Sequence, residues 1–327
     1  MMRGVRLFRW LMAAFGLVVS LSTMALADPL NIRVGWSTMP GHMIPVLFGP
    51  DKPYLKHYGQ SYTVEPVLFR GSSPQLTALA AGEIDLIASS PATMALAVLN
   101  AGIDVRLVAD IIQDGMPGYH SETWLVKTDS GIKTAADLKG KRIATGRGSI
   151  GHYLLLRVLE REGLTPNDVT IVFLSPGDAK AAFNSGAVDA WVTWNPYVGL
   201  AQLHDKTRIV ADGQGLLHSI GFEVASDRAI ATKRAELTDF LARLAKAEAW
   251  EGDHKAEYAA VLAKETGLPE DVAVYTVSKA RGVVVPIDAS VVNEERDTLS
   301  HYVKAGVVTS APNIDGAFDT SFYNAGR

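Results

Sequence analysis

Short, β-branched apolar runs alternate along this chain with longer stretches whose apolar positions recur at helical spacing, the pattern of an α/β protein with largely parallel sheets. Leu30 to Trp36 reads as a first strand and Tyr62 to Phe69 as a second, with a Pro/Gly-rich turn and a helix toward His57 between them. Ser73 to Ala81 then reads as a helix, Ile84 to Ala88 as a buried strand, Ala92 to Ala101 as a helix and Val105 to Ala109 as a strand. Gln113 to His120, with Gly115, Pro117 and Gly118, breaks the rhythm and reads as a crossover. A second unit follows, with strands at Thr123 to Lys127, Arg142 to Thr145, Thr170 to Leu174, Ala190 to Thr193 and Arg208 to Ala211. Its helices are His152 to Glu162 and Asp178 to Ser185. Asp212-Gly213-Gln214-Gly215 marks a second crossover, and Gly221 to Ser226 returns as a strand. Four helices complete the chain: Arg228 to Trp250, His254 to Thr266, Pro269 to Lys279 and Ala289 to Lys304. This helical tail is expected to pack on the first lobe.

Two crossings imply two lobes, a hinge and a cleft beside it, the usual place for a small ligand. The predicted division puts residues 28–114 and 219–327 in lobe 1 and residues 115–218 in lobe 2. An internal repeat supports it. Ala78-Leu79-Ala80-Ala81-Gly82-Glu83-Ile84-Asp85 matches Ala182-Phe183-Asn184-Ser185-Gly186-Ala187-Val188-Asp189 at the Ala, Gly, Ile/Val and Asp positions. In each copy a helix ends at glycine, which suits a left-handed C-cap, and an apolar strand follows.

The N-terminus changes the picture next. Arg3, Arg6 and Arg9 precede an apolar stretch from Trp10 to Val19, and Ala25-Leu26-Ala27 closes the segment in a small-x-small pattern. Residues 1–27 therefore read as a secretory signal peptide cut before Asp28, against the alternative of an uncleaved membrane anchor. Loss of its three arginines takes the formal net charge from −4 to about −7, with nothing of a basic nucleic-acid footprint. The chain has no cysteine, which excludes disulfides, thiolate metal sites, a cysteine nucleophile and a cysteine-linked lipid anchor. A length of 327 residues with 48% hydrophobic content is enough for two well-packed interiors.

The chemistry concentrates where predicted strands end in small polar loops before a helix. These loops are Trp36-Ser37-Thr38, Gly71-Ser72-Ser73, Ser89-Ser90-Pro91, Gly148-Ser149-Ile150-Gly151 and Trp194-Asn195-Pro196. In a parallel sheet such loops share one edge, and helix N-termini there offer free N–H groups to an anion. Taken singly, each loop is better explained by ordinary helix capping; five pointing the same way are harder to explain so. Gly146-Arg147-Gly148-Ser149-Ile150-Gly151 also matches the dinucleotide fingerprint, but no acidic residue closes the next strand, and Asp178 lies a turn too late. Trp36, Trp194, Tyr197 and Phe222 fall at or beside strand ends and could enclose an apolar ligand tail, with core packing as the alternative. Arg70 and Arg147 are candidate partners for a carboxylate. The eight histidines show no zinc-type spacing, and neither a nucleophile elbow nor a P-loop occurs, so no catalytic residue, metal or cofactor is assigned.

Several runs together resemble periplasmic proteins that bind aliphatic sulfonates, a group that includes taurine and nitrate binders of ABC importers. They are Ile132-Lys133 through Asp137-Leu138-Lys139-Gly140-Lys141-Arg142-Ile143-Ala144, His152-Tyr153-Leu154-Leu155, Ala179-Lys180-Ala181-Ala182-Phe183 and Gly186-Ala187-Val188-Asp189-Ala190-Trp191-Val192, followed by Trp194-Asn195-Pro196-Tyr197. The resemblance implies a type II periplasmic-binding fold, two α/β lobes that close on the solute. It implies a sulfonate held by main-chain amides and hydroxyls at Ser72-Ser73, Ser89-Ser90 and Gly148-Ser149-Ile150-Gly151, with His152 beside them and Trp194 facing the cleft. Loops Trp36-Ser37 to His42 and Arg70 to Pro74 would meet the ligand's variable end, and they depart from the pattern expected there. The expectation is a monomeric, non-enzymatic periplasmic protein that hands a small anionic solute to an inner-membrane ABC permease. A carboxylate, aromatic or otherwise, nitrate or a thiamine-precursor pyrimidine are alternative ligands, and an exported enzyme using the cleft is the alternative of another class.

Overall fold

The structure is a computed structural model, and it describes residues 29–37, 61–69, 72–90, 102, 104–112, 121–217, 220–279, 283–285, 287–311 and 313–324. The proposed signal peptide, the helices toward His57 and over 92–101, and the first crossover lie outside these residues. The first sheet contains β1 (Leu30–Ser37), β2 (Tyr62–Phe69), β3 (Leu86–Ser90), β4 (Val105–Ile112), β10 (Ile220–Ser226) and β11 (Val283–Val285), in the order β11-β4-β10-β3-β1-β2. The second contains β5 (Thr123–Lys127), β6 (Arg142–Thr145), β7 (Thr170–Phe173), β8 (Ala190–Thr193) and β9 (Thr207–Asp212), in the order β7-β6-β8-β5-β9. The helices are α1 (Ser72–Ala81), α2 (Ile150–Arg161), α3 (Pro176–Asn184), α4 (Tyr197–His204), α5 (Asp227–Asp253), α6 (Lys255–Thr266), α7 (Glu270–Lys279), α8 (Ala289–Lys304) and α9 (Ser321–Asn324). Among the described residues no helix is long and apolar enough to cross a membrane.

The sheets are mixed rather than largely parallel, and the crossings explain why. β1, β2 and β3 run parallel, as do β6, β7 and β8, whereas β10 and β5 run antiparallel to both their neighbours. β4 and β9 end at the edge where the other forward strands of their sheets end. The chain leaves each sheet there and enters the other at the same kind of edge, so the entering strand must run back. Ile112 to Thr123 and Asp212 to Ile220 are the two links. Links this short hold the two edges within about 30–40 Å of one another at full extension, so the forward strand ends of each sheet lie on the side where the chain crosses to the other, and the gap is at that join.

The internal repeat is a structural device at the opposite ends of the strands. The main-chain N–H of Arg33 donates to Asp85 Oδ2 at 2.9 Å, its Nε to the same oxygen at 3.3 Å, and its Nη2 to Asp85 Oδ1 at 3.1 Å and to the Gly82 carbonyl at 2.8 Å. Arg142 makes the same four bonds to Asp189 and Gly186, at 2.8, 3.2, 2.9 and 2.9 Å. Gly82 and Gly186 take φ of +72° and +76°, the left-handed turn that glycine allows at no steric cost. Each clamp joins the first strand of a βαβ unit to the turn before its third. It serves the fold and lies away from the gap.

The tail packs on both bodies, unlike the expectation of the first lobe alone. Leu237, Phe240 and Leu244 of α5 join Ile32, Val34 and Tyr62 in the core of the first sheet. Val291 and Leu299 of α8 pack with Leu76, Ile84 and Phe222 on its other face, but Tyr302, on the last turn of α8, belongs to the second sheet's core with Trp124, Tyr153 and Val192. Farther out, His204 of α4 meets Asp271 of α7 at 3.0 Å.

Candidate functional site

At the gap edge of the second sheet, β6 ends at Thr145 and α2 begins after four intervening residues. Ser149 is the N-cap: its Oγ accepts from the His152 N–H at 3.2 Å and donates to the Gly146 carbonyl at 2.7 Å. Ile150 and Gly151 are the first two helical residues, so their N–H groups have no acceptor inside the helix and carry its positive end. Gly151 lies against the strand ends. A Cβ there would sit 2.9 Å from Thr145 Oγ1, 3.1 Å from the Val192 carbonyl and 3.3 Å from the Trp194 ring. Trp194 is half-buried beside this turn and meets Tyr197 edge to face at 6.4 Å. Burial raises the Tyr197 phenol above its ordinary pKa.

Three threonine hydroxyls at this edge stand out. Thr123, Thr145 and Thr193 are at most 1% exposed, and their Oγ1 atoms find no hydrogen-bond partner among the described residues. Thr123 and Thr193 are direct neighbours across β5 and β8, while Thr145 lies under the first turn of α2. A buried hydroxyl without a partner costs about 1–3 kcal/mol, so a group of three is a feature to be filled, by a ligand or by ordered water. Sequence reasoning passed over them because threonine in a strand is what β-propensity already favours.

Of the residues expected to touch a ligand, Ile150, Gly151 and Trp194 come together here with Tyr197 beside them. Others are employed differently. The Gly148 N–H donates to His152 Nδ1 at 3.2 Å, and the Ser149 hydroxyl is spent on capping, so neither group is available as read from the sequence. His152 is 2% exposed, its ring 4.9 Å from Phe173 and 5.6 Å from Tyr302, a packed side chain rather than a ligand contact. Phe222 is fully buried against Ile84 and Leu107 and meets Phe318 at 6.0 Å, and Trp36 packs among Val34, Tyr62 and Leu86. Both are core residues and do not line the gap. Ser37 ends β1, Ser72 and Ser73 begin α1, and Ser89 and Ser90 end β3, all at the forward edge of the first sheet. His42 and Arg70 lie outside the described residues. Asp178 is hydrogen-bonded at 2.6 Å to the Ser175 hydroxyl that caps α3, which leaves the end of β7 without the ribose-binding carboxylate of a dinucleotide site.

Burial, and after it the nearby Arg147 cation, pushes the His152 pKa down from 6.5 to about 4. The imidazole is therefore neutral near pH 7, with Nδ1 as acceptor. As pH falls from 6.5 toward 4 the unfolded chain takes up a proton that the folded chain refuses. Stability from this group is complete above pH 6.5 and is lost progressively down to about pH 4, up to about 3 kcal/mol. Urea midpoints across that range should fall more steeply for the natural protein than for His152→Gln; parallel profiles would refute this account.

The Arg147 guanidinium lies 3.9 Å over the Phe173 ring, exposed at the rim of the turn and without a carboxylate partner among the described residues. A separate depression of about 740 Å³ opens at the far end of the second sheet. Three of the charged groups that line it are already engaged: Lys127 with Asn184, Asp137 with the Thr134 backbone, Asp189 with Arg142.

Two βαβ bodies, joined edge to edge and each with helix starts at the join, are matched over residues 42–258 by the family model NMT1/THI5 like. The chain belongs to that family. A protein of Escherichia coli (strain K12) provisionally named as an aliphatic sulfonates-binding protein is 33% identical over 305 residues, 91% of this chain and 92% of that one. The alkanesulfonate-binding protein SsuA from Xanthomonas axonopodis pv. citri, solved bound to MOPS, superimposes with a TM-score of 0.80 at 30% identity, over 90% of this chain and 99% of that one. The fold is thus the two-lobed periplasmic-binding architecture. The desulfurization enzyme DSZB shares it, with a TM-score of 0.69 at 16% identity over 91% of this chain and 98% of that one, a likeness of fold alone.

Proposed function

We propose that this protein is the solute-binding component of an ABC importer, working in the periplasm after removal of residues 1–27. Its ligand is a small organic anion with a strong-acid head, an aliphatic sulfonate of the alkanesulfonate or taurine type. The observation that carries this reading is the start of α2, where two N–H groups with no acceptor inside the helix lie beside the buried Thr145 hydroxyl and the Trp194 ring. A sulfonate stays ionised at every ordinary pH, so it needs fixed donors and no titrating partner, and the neutral His152 supplies none. Its three oxygens can use several donors at once, while Trp194 and Tyr197 offer an apolar wall to the carbon chain. In this reading residues 28–114 and 219–327 form one lobe and 115–218 the other, with α8 shared between them. The protein acts as a monomer, binds without turnover or cofactor, and delivers its solute to an inner-membrane permease.

A thermal-shift panel of alkanesulfonates, taurine, nitrate, sulfate and aromatic carboxylates tests it. At a hundred times Kd a true ligand adds about 2.7 kcal/mol, a midpoint rise of several degrees, and mass analysis of the recovered ligand should show it unchanged. The alkanesulfonates should lead; no shift with any member would overturn the proposal. Arg147 favours a second reading, a carboxylate ligand, because an exposed guanidinium held over Phe173 beside this turn could pair with one. In that case the carboxylates lead the panel and Arg147→Ala abolishes their advantage.

A further inference from the structure

The N–H of Ile150 and the carbonyl of Ser149 belong to one peptide group. That group is planar and trans, so whatever holds its oxygen also aims its hydrogen. Two donors hold this oxygen: the Tyr153 N–H at 3.1 Å, as in any helix, and the Tyr302 hydroxyl at 2.7 Å. Tyr302 comes from a remote element, the last turn of α8. Its residue is 1% exposed, and its ring packs 5.6 Å from His152 and 6.1 Å from Tyr153, which fixes the direction of the phenol. Upstream on the same helix, Val291 and Leu299 are seated in the first sheet's core.

We propose that Tyr302 is a positioning residue of the anion seat, aiming and polarising the Ile150 N–H through the far end of the same peptide. A donor on a peptide oxygen draws charge toward it and makes the opposite N–H a stronger donor, the cooperativity of hydrogen-bonded chains. Because α8 is rooted in both bodies, the orientation of this donor on the second body depends on an element anchored in the first. The inference rests on the reading of this turn as the acid-binding site.

The neighbouring ties of α8 provide a control. Asp297 accepts from the Tyr153 hydroxyl at 3.0 Å and from Arg157 Nη1 at 3.1 Å, and His301 meets Glu160 at 3.0 Å, side-chain ties none of which reaches the Ser149 carbonyl. Loosening them weakens the contact between helices but leaves both donors on the Ser149 carbonyl, the Tyr153 main-chain N–H and the Tyr302 hydroxyl.

The test uses the mature chain, titrated calorimetrically with 1-butanesulfonate, and the amide resonance of Ile150 recorded without ligand. Tyr302→Phe removes only the hydroxyl. It should weaken binding about three- to tenfold, the range to which one hydrogen bond's net worth converts, and move the Ile150 amide proton upfield. Asp297→Asn should leave both close to the natural protein. 3-Fluorotyrosine at position 302, a more acidic phenol in the same ring, should move the resonance downfield, and it keeps the test open if the phenylalanine variant does not fold. An unmoved Ile150 resonance in both position-302 variants overturns the proposal, and so does equal weakening by Tyr302→Phe and Asp297→Asn. If the natural protein binds neither 1-butanesulfonate nor any other anion of the panel, the functional reading fails, and the Ile150 resonance alone then decides the positioning claim.

Discussion

Gly151→Ala should cost the protein its ligand and part of its stability together. The three atoms that a Cβ would meet differ in their freedom to move. Thr145 Oγ1, at 2.9 Å, can rotate away, and the Trp194 ring at 3.3 Å can tilt, but the Val192 carbonyl at 3.1 Å is backbone in β8, the strand between β6 and β5. The first turn of α2 must therefore lift from the sheet. Overpacking of this kind costs about 1–3 kcal/mol, and the lift carries the Ile150 and Gly151 N–H groups out of line with the acid group. Loss of two charge-assisted hydrogen bonds weakens binding by roughly a hundredfold or more. Gly146→Ala should be milder, since its Cβ would meet chiefly the Ser149 hydroxyl at 3.2 Å, and Gly177→Ala, with nothing within 4 Å, should leave binding unchanged. Thermal midpoints and calorimetric titration of the three variants give the ranking. A Gly151→Ala protein that binds like the natural one would show that the close approach of helix and strand does not position the donors.

The same turn shows how far the sequence is legible. Its place, between an apolar strand and an amphipathic helix, follows from periodicity and from the small residues between them. The strands Tyr62–Phe69, Thr123–Lys127, Arg142–Thr145 and Ala190–Thr193 and the helix Ala289–Lys304 fall where the pattern puts them. β3 begins two residues later than expected. Ile84 is core, yet its N–H turns back to the Ala78 carbonyl at 3.4 Å as part of the helix end, so the apolar run starts before the strand does. β11, three valines within a helical tail, is too short to have a period and is set by pairing with β4.

Side-chain roles were less legible than elements, for a physical reason. Aromatic and imidazole groups near a strand end look alike in sequence whether they point to the gap or to the core, and Trp36, Phe222 and His152 went to the core. Tyr302 lies on the apolar side of α8, and nothing in a helical period says which sheet that side will cover. The arginines of the two clamps carried a usable signal. Arg33 lies within, and Arg142 opens, the first strand ahead of each copy of the repeat, 52 and 47 residues before Asp85 and Asp189, so extending the comparison backward with a short gap pairs them.

That pair of clamps supports the second large expectation: matched substitutions in the two copies should have unequal costs. The geometry is the same, but the surroundings are not. The Asp85 side chain is 2% exposed and also receives Lys233 Nζ at 2.8 Å, whereas the Asp189 side chain is 31% exposed and its Arg142 partner 47%. Burial alone would raise the Asp85 pKa, but hydrogen bonds from Arg33 and Lys233 outweigh it and hold the carboxyl below its ordinary value. For Asp189 the Arg142 hydrogen bond leads in the same direction against a smaller burial effect. Asp85→Asn leaves Arg33, Lys233 and, at 3.9 Å, Arg228 around a buried position without its counter-ion, a loss of about 3 kcal/mol, the lower end for a buried pair because the cations keep some contact with water. Asp189→Asn leaves one cation that water can reach, about 1 kcal/mol or less. Urea unfolding of both variants at neutral pH measures the difference. Because the folded pKa of Asp85 is depressed, its contribution is complete above the unfolded value near about 4 and fades as pH drops through the folded one. The gap between the natural protein and Asp85→Asn should therefore narrow in acid, which equal costs for the two variants, or a gap unchanged at low pH, would contradict.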